Sequence, residues 1–366
     1  MTIDYSGVPF IETTITLKAD REKVNGNVIN VAKQLVPQWS DIDEGLVKVS
    51  ELSGGITNQL LKLEATGALP LGAPRCATCR IFGDATELVI DRAQEFKVIK
   101  YLSDHKQFGS SLYGAFTNGR LESYIDAWTL EPKDMARPEM VTKIARLLHE
   151  FHKLDIPGPR TSALWPLLFK WADLAATLSF DDPKKQATFE AAGVAELKGQ
   201  IEELKRVCDE LDSPVVFSHN DLLSGNFMCD NKTGELILID FEYGMYNNRG
   251  FDLGNHFNEY AGFDCDYSLY PDRDAQYLFF RHYIAPEDPA SVPESELANF
   301  YVEANCFALA SHLYWGVWAL VQAKHSPIDF DYLGYNKLRL KEYHRRKESV
   351  FALARERVGQ TVSATC

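Results

Sequence analysis

The spacing of apolar and polar positions changes character about a third of the way along the chain. Short apolar runs at 60–63 and 88–90 predict strands. Positions 91–102 repeat with a helical period, and Asp91 stands where it can cap the first turn. The runs 112–116 and 121–125 flank Thr117-Asn118-Gly119-Arg120, and Asn-Gly between two such runs predicts a hairpin. From Pro138 onward the period is helical, with helices expected over 140–154, 187–211 and 295–322. One stretch, 215–241, returns to strand patterning. An α+β chain follows, with a β-rich N-terminal lobe over 1–123 and a mostly helical C-terminal lobe over 124–366. The most apolar segment, 307–321, carries Ser311 and His312 and falls short of the roughly 20 residues of a bilayer span. It reads as a buried core helix, with no integral membrane association.

Composition narrows this picture modestly. The 366 residues are 45% hydrophobic and 25% charged, which excludes a disordered, collagenous or coiled-coil chain. With 38 Lys and Arg against 52 Asp and Glu, the net charge of −14 argues against nucleic acid and anionic membranes as partners. It would suit a cationic substrate. The first residues lack the basic and apolar segments of a secretory signal, and seven cysteines have no framework spacing, so a cytoplasmic enzyme is expected. Cys76 and Cys79 read as two ordinary strand cysteines rather than half of a zinc site. The basic stretch 337–347, with six cations, reads as a solvated helix end.

The chemistry concentrates in 215–242. Asn231-Lys232-Thr233-Gly234 separates two short apolar runs, so these runs should pair as a hairpin. Asn226 and Asp240 each lie seven residues from Thr233, which would set them opposite one another at its open end. An amide oxygen and a carboxylate together are hard ligands suited to Mg²⁺. Asp221, five residues before Asn226, is placed to orient an alcohol and accept its proton. His219-x-Asp221-x4-Asn226 followed by Asp240 is the order used by protein-kinase-like phosphotransferases. Turn preference alone would explain one or two of these residues, but not four in sequence. Such an enzyme also needs a phosphate loop and a cation. Gly54-Gly55-Ile56-Thr57-Asn58 supplies a flexible backbone before a strand, and Arg80 supplies a guanidinium. Glu95 is either the partner that holds Arg80 or a residue on a solvated helix face.

These segments resemble the choline/ethanolamine kinase family from about Leu46 to Lys347. The resemblance rests on 54–58, 80–83, 219–226, Ile239-Asp240-Phe241-Glu242-Tyr243 and Asp252-Leu253-Gly254-Asn255-His256-Phe257. Three stretches, 86–92, 266–273 and 307–324, are closer to the ethanolamine kinases, whereas Arg249-Gly250-Phe251-Asp252 looks more like the choline kinases. The resemblance implies a kinase-like two-lobe fold and ATP-dependent phosphorylation of ethanolamine or choline, the first step of phospholipid head-group synthesis. It makes Asp221 the base, gives Asn226 and Asp240 to Mg²⁺, and adds Glu242 as a further metal candidate. Gly55, Thr57, Asn58 and Arg80 match nucleotide-phosphate positions. Glu122 and Tyr124 lie in the linking segment 121–124, where adenine meets backbone. A homodimer is compatible with the family and has no marker in this chain.

A quaternary ammonium needs aromatic faces, and a primary ammonium needs acceptors. Trp315 and Trp318 are three apart and share a helix face. The resemblance sets them beside the amine, with Phe330, Tyr332, Tyr335 and the carboxylate Glu259; Asp264 and Asp266 are either further candidates or solvated loop. His219 and His256 read as structural, Asp252 as a brace of the catalytic loop, and His149 and His152 as ordinary helix positions. The rival readings are an aminoglycoside-type phosphotransferase and a catalytically dead nucleotide-binding scaffold. The paired tryptophans oppose the first, and the presence of Asp221 and Asp240 opposes the second.

Overall fold

The computed structural model describes residues 3–16, 20–52, 58–82, 91–105, 108–326 and 328–365. The chain forms two units. The first takes Met1–Trp128 with Asp230–Thr233 and Ile237–Glu242; the second takes Thr129–Cys229, Gly234–Leu236 and Tyr243–Cys366. The first unit thus ends five residues beyond 123 and recovers two pieces of chain from the 215–242 stretch.

The first unit is a six-stranded sheet in the order β1-β5-β6-β4-β3-β2. Its strands are β1 (Phe10–Ile11), β2 (Val47–Leu52), β3 (Asn58–Ala65), β4 (Cys76–Phe82), β5 (Leu112–Phe116) and β6 (Gly119–Ser123). β1 runs parallel to β5 and the other neighbours are antiparallel. Ala77, Cys79 and Ile81 turn one face of β4 into a core shared with helix α1 (Arg21–Leu35). By the two-residue period of a strand, Thr78 and Arg80 take the other face. The register sets Arg80 opposite Arg120 and Thr78 opposite Glu122, so two guanidiniums share one face. Helix α2 (Arg92–Asp104) starts at Asp91, whose carboxylate accepts from the Ala93 and Gln94 N–H groups at 3.1 Å.

The hairpin forms with a turn two residues shorter than expected: Thr117 and Asn118 make it, and Gly119 already pairs with Phe116. The Asn118 side chain is spent on the Ile15 backbone, donating to its carbonyl at 3.0 Å and accepting from its N–H at 2.9 Å. A Cβ at Gly119 would collide with the Phe116 ring and the Arg80 carbonyl, which is why glycine stands there. The expected strand at 88–90 lies outside the described residues.

The second unit is mostly helical. After β7 (Ala127–Thr129) and α3 (Pro132–Met135), α4 (Pro138–Phe151) and α5 (Leu164–Ala175) follow. The single helix expected over 187–211 is two, α6 (Pro183–Glu190) and α7 (Leu197–Asp209). Gly193 lies between them at φ +64°, a left-handed conformation that ends a helix. β8 (Val215–Ser218) is antiparallel to β11 (Met245–Asn248), while β9 (Phe227–Asp230) and β10 (Leu236–Leu238), whose residues are divided between the two units, flank the expected turn. There Asp230 accepts from the Lys232 and Thr233 N–H groups at 2.8 and 2.7 Å. α8 (Arg249–Asn258), α9 (Arg273–Ile284), α10 (Glu294–His325) and α11 (Tyr332–Thr365) complete the unit. α10 is buried without a break from Val302 to Gln322. α8 lies so close to it that a Cβ on Gly254 would meet the Ala304 and Ala308 backbone. Among the described residues no helix is long and apolar enough to cross a membrane.

Candidate active site

The first unit gathers its charges on the face that holds Arg80. Glu95 takes Arg92 at 2.7 Å and Arg120 at 2.6 Å, and Arg120 also pairs with Glu122. Burial disfavours the Glu95 carboxylate, yet Arg120 and then Arg92 outweigh it and hold its pKa down at about 2. Arg80 therefore does not depend on Glu95 for its ion pair; it faces Asp240 at 3.7 Å. The neighbouring guanidiniums on β6 and α2 claim Glu95 first. The Glu122 carboxylate also accepts from the Ser110 hydroxyl at 3.0 Å, so that side chain is engaged inside the unit. Asn58 opens β3 and accepts from Arg92 at 3.0 Å, while the Tyr124 ring lies under the Lys62 ammonium at 4.3 Å. Gly55 and Thr57, with the rest of the expected phosphate loop, lie outside the described residues.

Asp240 is in the left-handed region at φ +66°, a conformation costly for most side chains but tolerated by Asp and Asn. Its Oδ1 is buried with no hydrogen-bond partner among the described residues. Glu95, Asp240 and Glu242 each bring one carboxylate oxygen within 4.8 Å of the others. Burial raises the Glu242 carboxyl well above the usual range, and the charges of Asp240 and Glu95 push the same way, although Arg92 lies 3.4 Å away. An orphaned carboxylate oxygen amid crowded hard oxygen donors fits a divalent cation.

The second unit holds the His219-x-Asp221-x4-Asn226 segment. Asp252, fully buried, accepts from the His219 N–H at 2.7 Å and the Asn220 N–H at 2.6 Å. It also meets His152 Nε2 at 3.0 Å, and His152 Nδ1 lies 2.7 Å from the Tyr283 hydroxyl. His152 is thus part of the brace and not an ordinary helix position. Its partner lies 100 residues away, so no local signal marks it. Asn220 adopts φ +66° and is pinned from both ends of its amide, donating to the Tyr243 carbonyl and accepting from Asn247, each at 2.8 Å. The loop so held presents Asp221. Asn226 Nδ2 donates to the Asp221 backbone carbonyl at 2.7 Å and to its carboxylate at 3.1 Å. With its nitrogen committed, the Asn226 carbonyl oxygen is the atom a cation would take. His219 and His256 are both fully buried, and burial lowers the His256 pKa to about 4, so it stays neutral.

In the same unit an aromatic group assembles around α10. The Trp315 and Trp318 rings lie edge to face at 5.3 Å, and Tyr332 meets Trp318 at 5.7 Å. Phe330 lies 4.9 Å from Tyr332 and 5.8 Å from Tyr335. Trp315 donates to Asn255 at 2.8 Å and Trp318 to the Tyr243 hydroxyl at 3.0 Å, so both indoles have fixed planes. Glu259 is buried and paired with Arg339 at 2.9 Å. Asp264 and Asp266 are exposed, and Asp266 is spent on the Ser268 N–H. Sequence reading missed three members of this group. Tyr243 closes the Asp240 motif, Phe263 meets Phe330 edge-on and Tyr335 at a tilt, and Arg339 belongs to the stretch read as a solvated helix end. Arg249, the first residue of the choline-kinase-like stretch 249–252, clamps Glu303 at 2.6 Å and lies over the Phe300 ring.

The profile described as choline/ethanolamine kinase matches residues 49–344. A "probable ethanolamine kinase" of Arabidopsis thaliana is 46% identical over 350 residues, covering 96% of this chain and 93% of that protein. A "probable ethanolamine kinase A" of Dictyostelium discoideum is 38% identical over 333 residues, covering 91% of this chain and 95% of that protein. Among solved structures, an ethanolamine kinase of Plasmodium vivax superposes with a TM-score of 0.74 at 28% identity, covering 90% of this chain and 95% of that one. Matched over most of its length in sequence and fold, this chain belongs to the choline/ethanolamine kinase family.

Proposed function

We propose that this protein transfers the γ-phosphoryl group of ATP to the hydroxyl of ethanolamine, giving phosphoethanolamine and ADP, with choline as a second acceptor. The observation that carries it is Asp221, tied to Asn226 and presented by a loop that Asp252 holds through two backbone N–H groups. The Asp221 carboxylate orients the substrate hydroxyl and takes its proton as the oxygen bonds to the γ-phosphorus and the bond to the β-phosphate oxygen breaks. Asn226, Asp240 and Glu242 would hold Mg²⁺, which when bound neutralises phosphate charge. Arg80 and Asn58, with Gly55 and Thr57, serve the phosphates; the segment of Glu122 and Tyr124 serves adenine.

Trp315, Trp318, Tyr332 and Tyr335 give the ammonium aromatic faces, and Glu259 gives it an acceptor. Faces alone would suffice for choline, which is why choline is retained as an acceptor. The six described cysteines carry free thiols, in keeping with a reducing, cytoplasmic setting. The test is ADP release with ethanolamine, choline or neither, for the wild type and Asp221→Asn. Amine-dependent ADP release is expected in the wild type, with a loss of about 10²- to 10⁴-fold in the variant. Absence of amine-dependent release would refute the reading.

A further inference from the structure

Arg339 is 1% exposed, about two turns into α11, and its guanidinium makes four hydrogen bonds in two directions. One terminal nitrogen donates to Glu259 Oε1 at 2.9 Å and to the Tyr335 hydroxyl at 3.1 Å. The other donates to the Ser311 carbonyl at 3.1 Å and to its hydroxyl at 2.7 Å. That hydroxyl in turn donates to Asn255 Oδ1 at 2.8 Å, the same atom that receives the Trp315 indole N–H. A single buried cation therefore reaches three side chains of the aromatic group: Glu259 and Tyr335 directly, and Trp315 through Ser311 and Asn255.

We infer that Arg339 is the positioning residue of the amine site, fixing the Glu259 carboxylate and the plane of the Trp315 indole through one hydrogen-bond relay. The inference rests on reading this group as the site of the amine. Burying a guanidinium is costly unless it is paired and hydrogen-bonded; here Glu259 supplies the counter-charge and both terminal nitrogens are bonded, while Nε has no partner among the described residues. A lysine could replace the charge but not the planar fork, whose two terminal nitrogens point toward different helices. The pairing also commits one Glu259 oxygen and offsets its charge. Glu259 then meets the ammonium as a held acceptor and not as an uncompensated anion, and shape and orientation weigh more in choosing the amine.

The experiment compares the wild type with Arg339→Lys and Ser311→Ala. It measures kcat, KM for ethanolamine, choline and ATP, and thermal unfolding. Ser311→Ala leaves the Arg339–Glu259 pair and the bond to the Ser311 carbonyl intact, and removes the hydroxyl that joins Arg339 to Asn255. Arg339→Lys is expected to raise amine KM by about 10- to 100-fold, and Ser311→Ala by about 5-fold. ATP KM and kcat should stay within about twofold, a split that a merely structural role would not produce. Amine KM within twofold of wild type in both variants would overturn the inference. So would ATP KM and kcat worsening in step with amine KM. Should Arg339→Lys fail to fold, Ser311→Ala decides alone. If the wild type turns over neither amine, the proposed function falls and this inference with it. Wild-type turnover with an unmoved amine KM removes only the inference.

Discussion

The first unit organises its candidate residues with a network of ion pairs, and the second organises its aromatic group with ring contacts and neutral hydrogen bonds around a single buried ion pair, Arg339–Glu259. Around Glu95 the first unit buries three guanidiniums, Arg80, Arg92 and Arg120, with Glu122 and Glu242 nearby. The second unit buries one cation in its aromatic group, Arg339, and around it Asn255, Ser311, the indoles and phenols are uncharged. The difference follows from the ligands proposed for each. A polyphosphate carries several charges, so carboxylates that hold arginines in its absence can yield to phosphate oxygens and a metal. An ammonium carries one charge on a small body, and aromatic faces can recognise it without a fixed anion for every contact.

The contrast predicts where a single change is felt most. Asp240→Ala removes the carboxylate whose Oδ1 has no partner among the described residues. It should lower kcat by about 10³- to 10⁴-fold while leaving amine KM unchanged. Raising Mg²⁺ concentration should recover part of the loss, and full activity at ordinary Mg²⁺ would show that Asp240 is not a ligand. Arg120→Ala acts on stability. It leaves the buried Glu122 with only the Ser110 hydroxyl and Glu95 with Arg92 alone, and should cost about 3–5 kcal/mol, read from the denaturant midpoint. The neutral region has no equivalent: Asn255→Ala should cost less, although it strands two donors.

Acid separates the two regions in a different way. Glu95, held at about 2, contributes stability that is complete above its ordinary pKa and lost as pH falls from about 4.5 toward about 2. His256 acts at milder pH. Its Nδ1 faces the Leu222 carbonyl at 3.4 Å, and its buried Nε2 has no partner among the described residues, so protonation would add a donor with nowhere to go. With its pKa lowered to about 4 by burial, its contribution is complete above about 6.5 and disappears as pH falls toward 4. It amounts to at most about 3 kcal/mol. His256→Gln should therefore close the stability gap to wild type as pH falls from 7 to 4.5; parallel curves would assign the acid lability elsewhere.

What was legible in the sequence was local. The Asp91 cap, the order of Asp221, Asn226 and Asp240, and the Trp315–Trp318 face each depend on residues a few positions apart. What was missed spans long stretches of chain or needed a different periodicity. His152 depends on Asp252, and Glu95 chooses Arg120 over Arg80 because of a strand register. The stretch 337–347 was weighed by its charge, yet Tyr332, Tyr335, Asn336, Arg339 and Tyr343 fall at helical spacing and form the buried side of α11. That stripe was readable. Counting cations hid it.

Arg249 gives the finest test of the comparison, because it opens the stretch 249–252 that looks more like the choline kinases. Its guanidinium makes a two-nitrogen contact with Glu303 at 3.2 and 2.6 Å and covers the Phe300 ring at 4.0 Å, while Glu303 also accepts from the Ser213 hydroxyl. These contacts tie the start of α8 to α10, and none involves an indole or phenol of the aromatic group. Arg249→Lys keeps the charge and loses the fork, so it should cost about 1 kcal/mol of stability. The ratio of kcat/KM for ethanolamine to that for choline should change by less than about twofold, since 1.4 kcal/mol of selective contact would be needed for tenfold. A larger shift toward ethanolamine would mean that the α8 clamp reaches the amine through the Asn255 end of the helix, and the line between a bracing residue and a selecting one would have to be redrawn there.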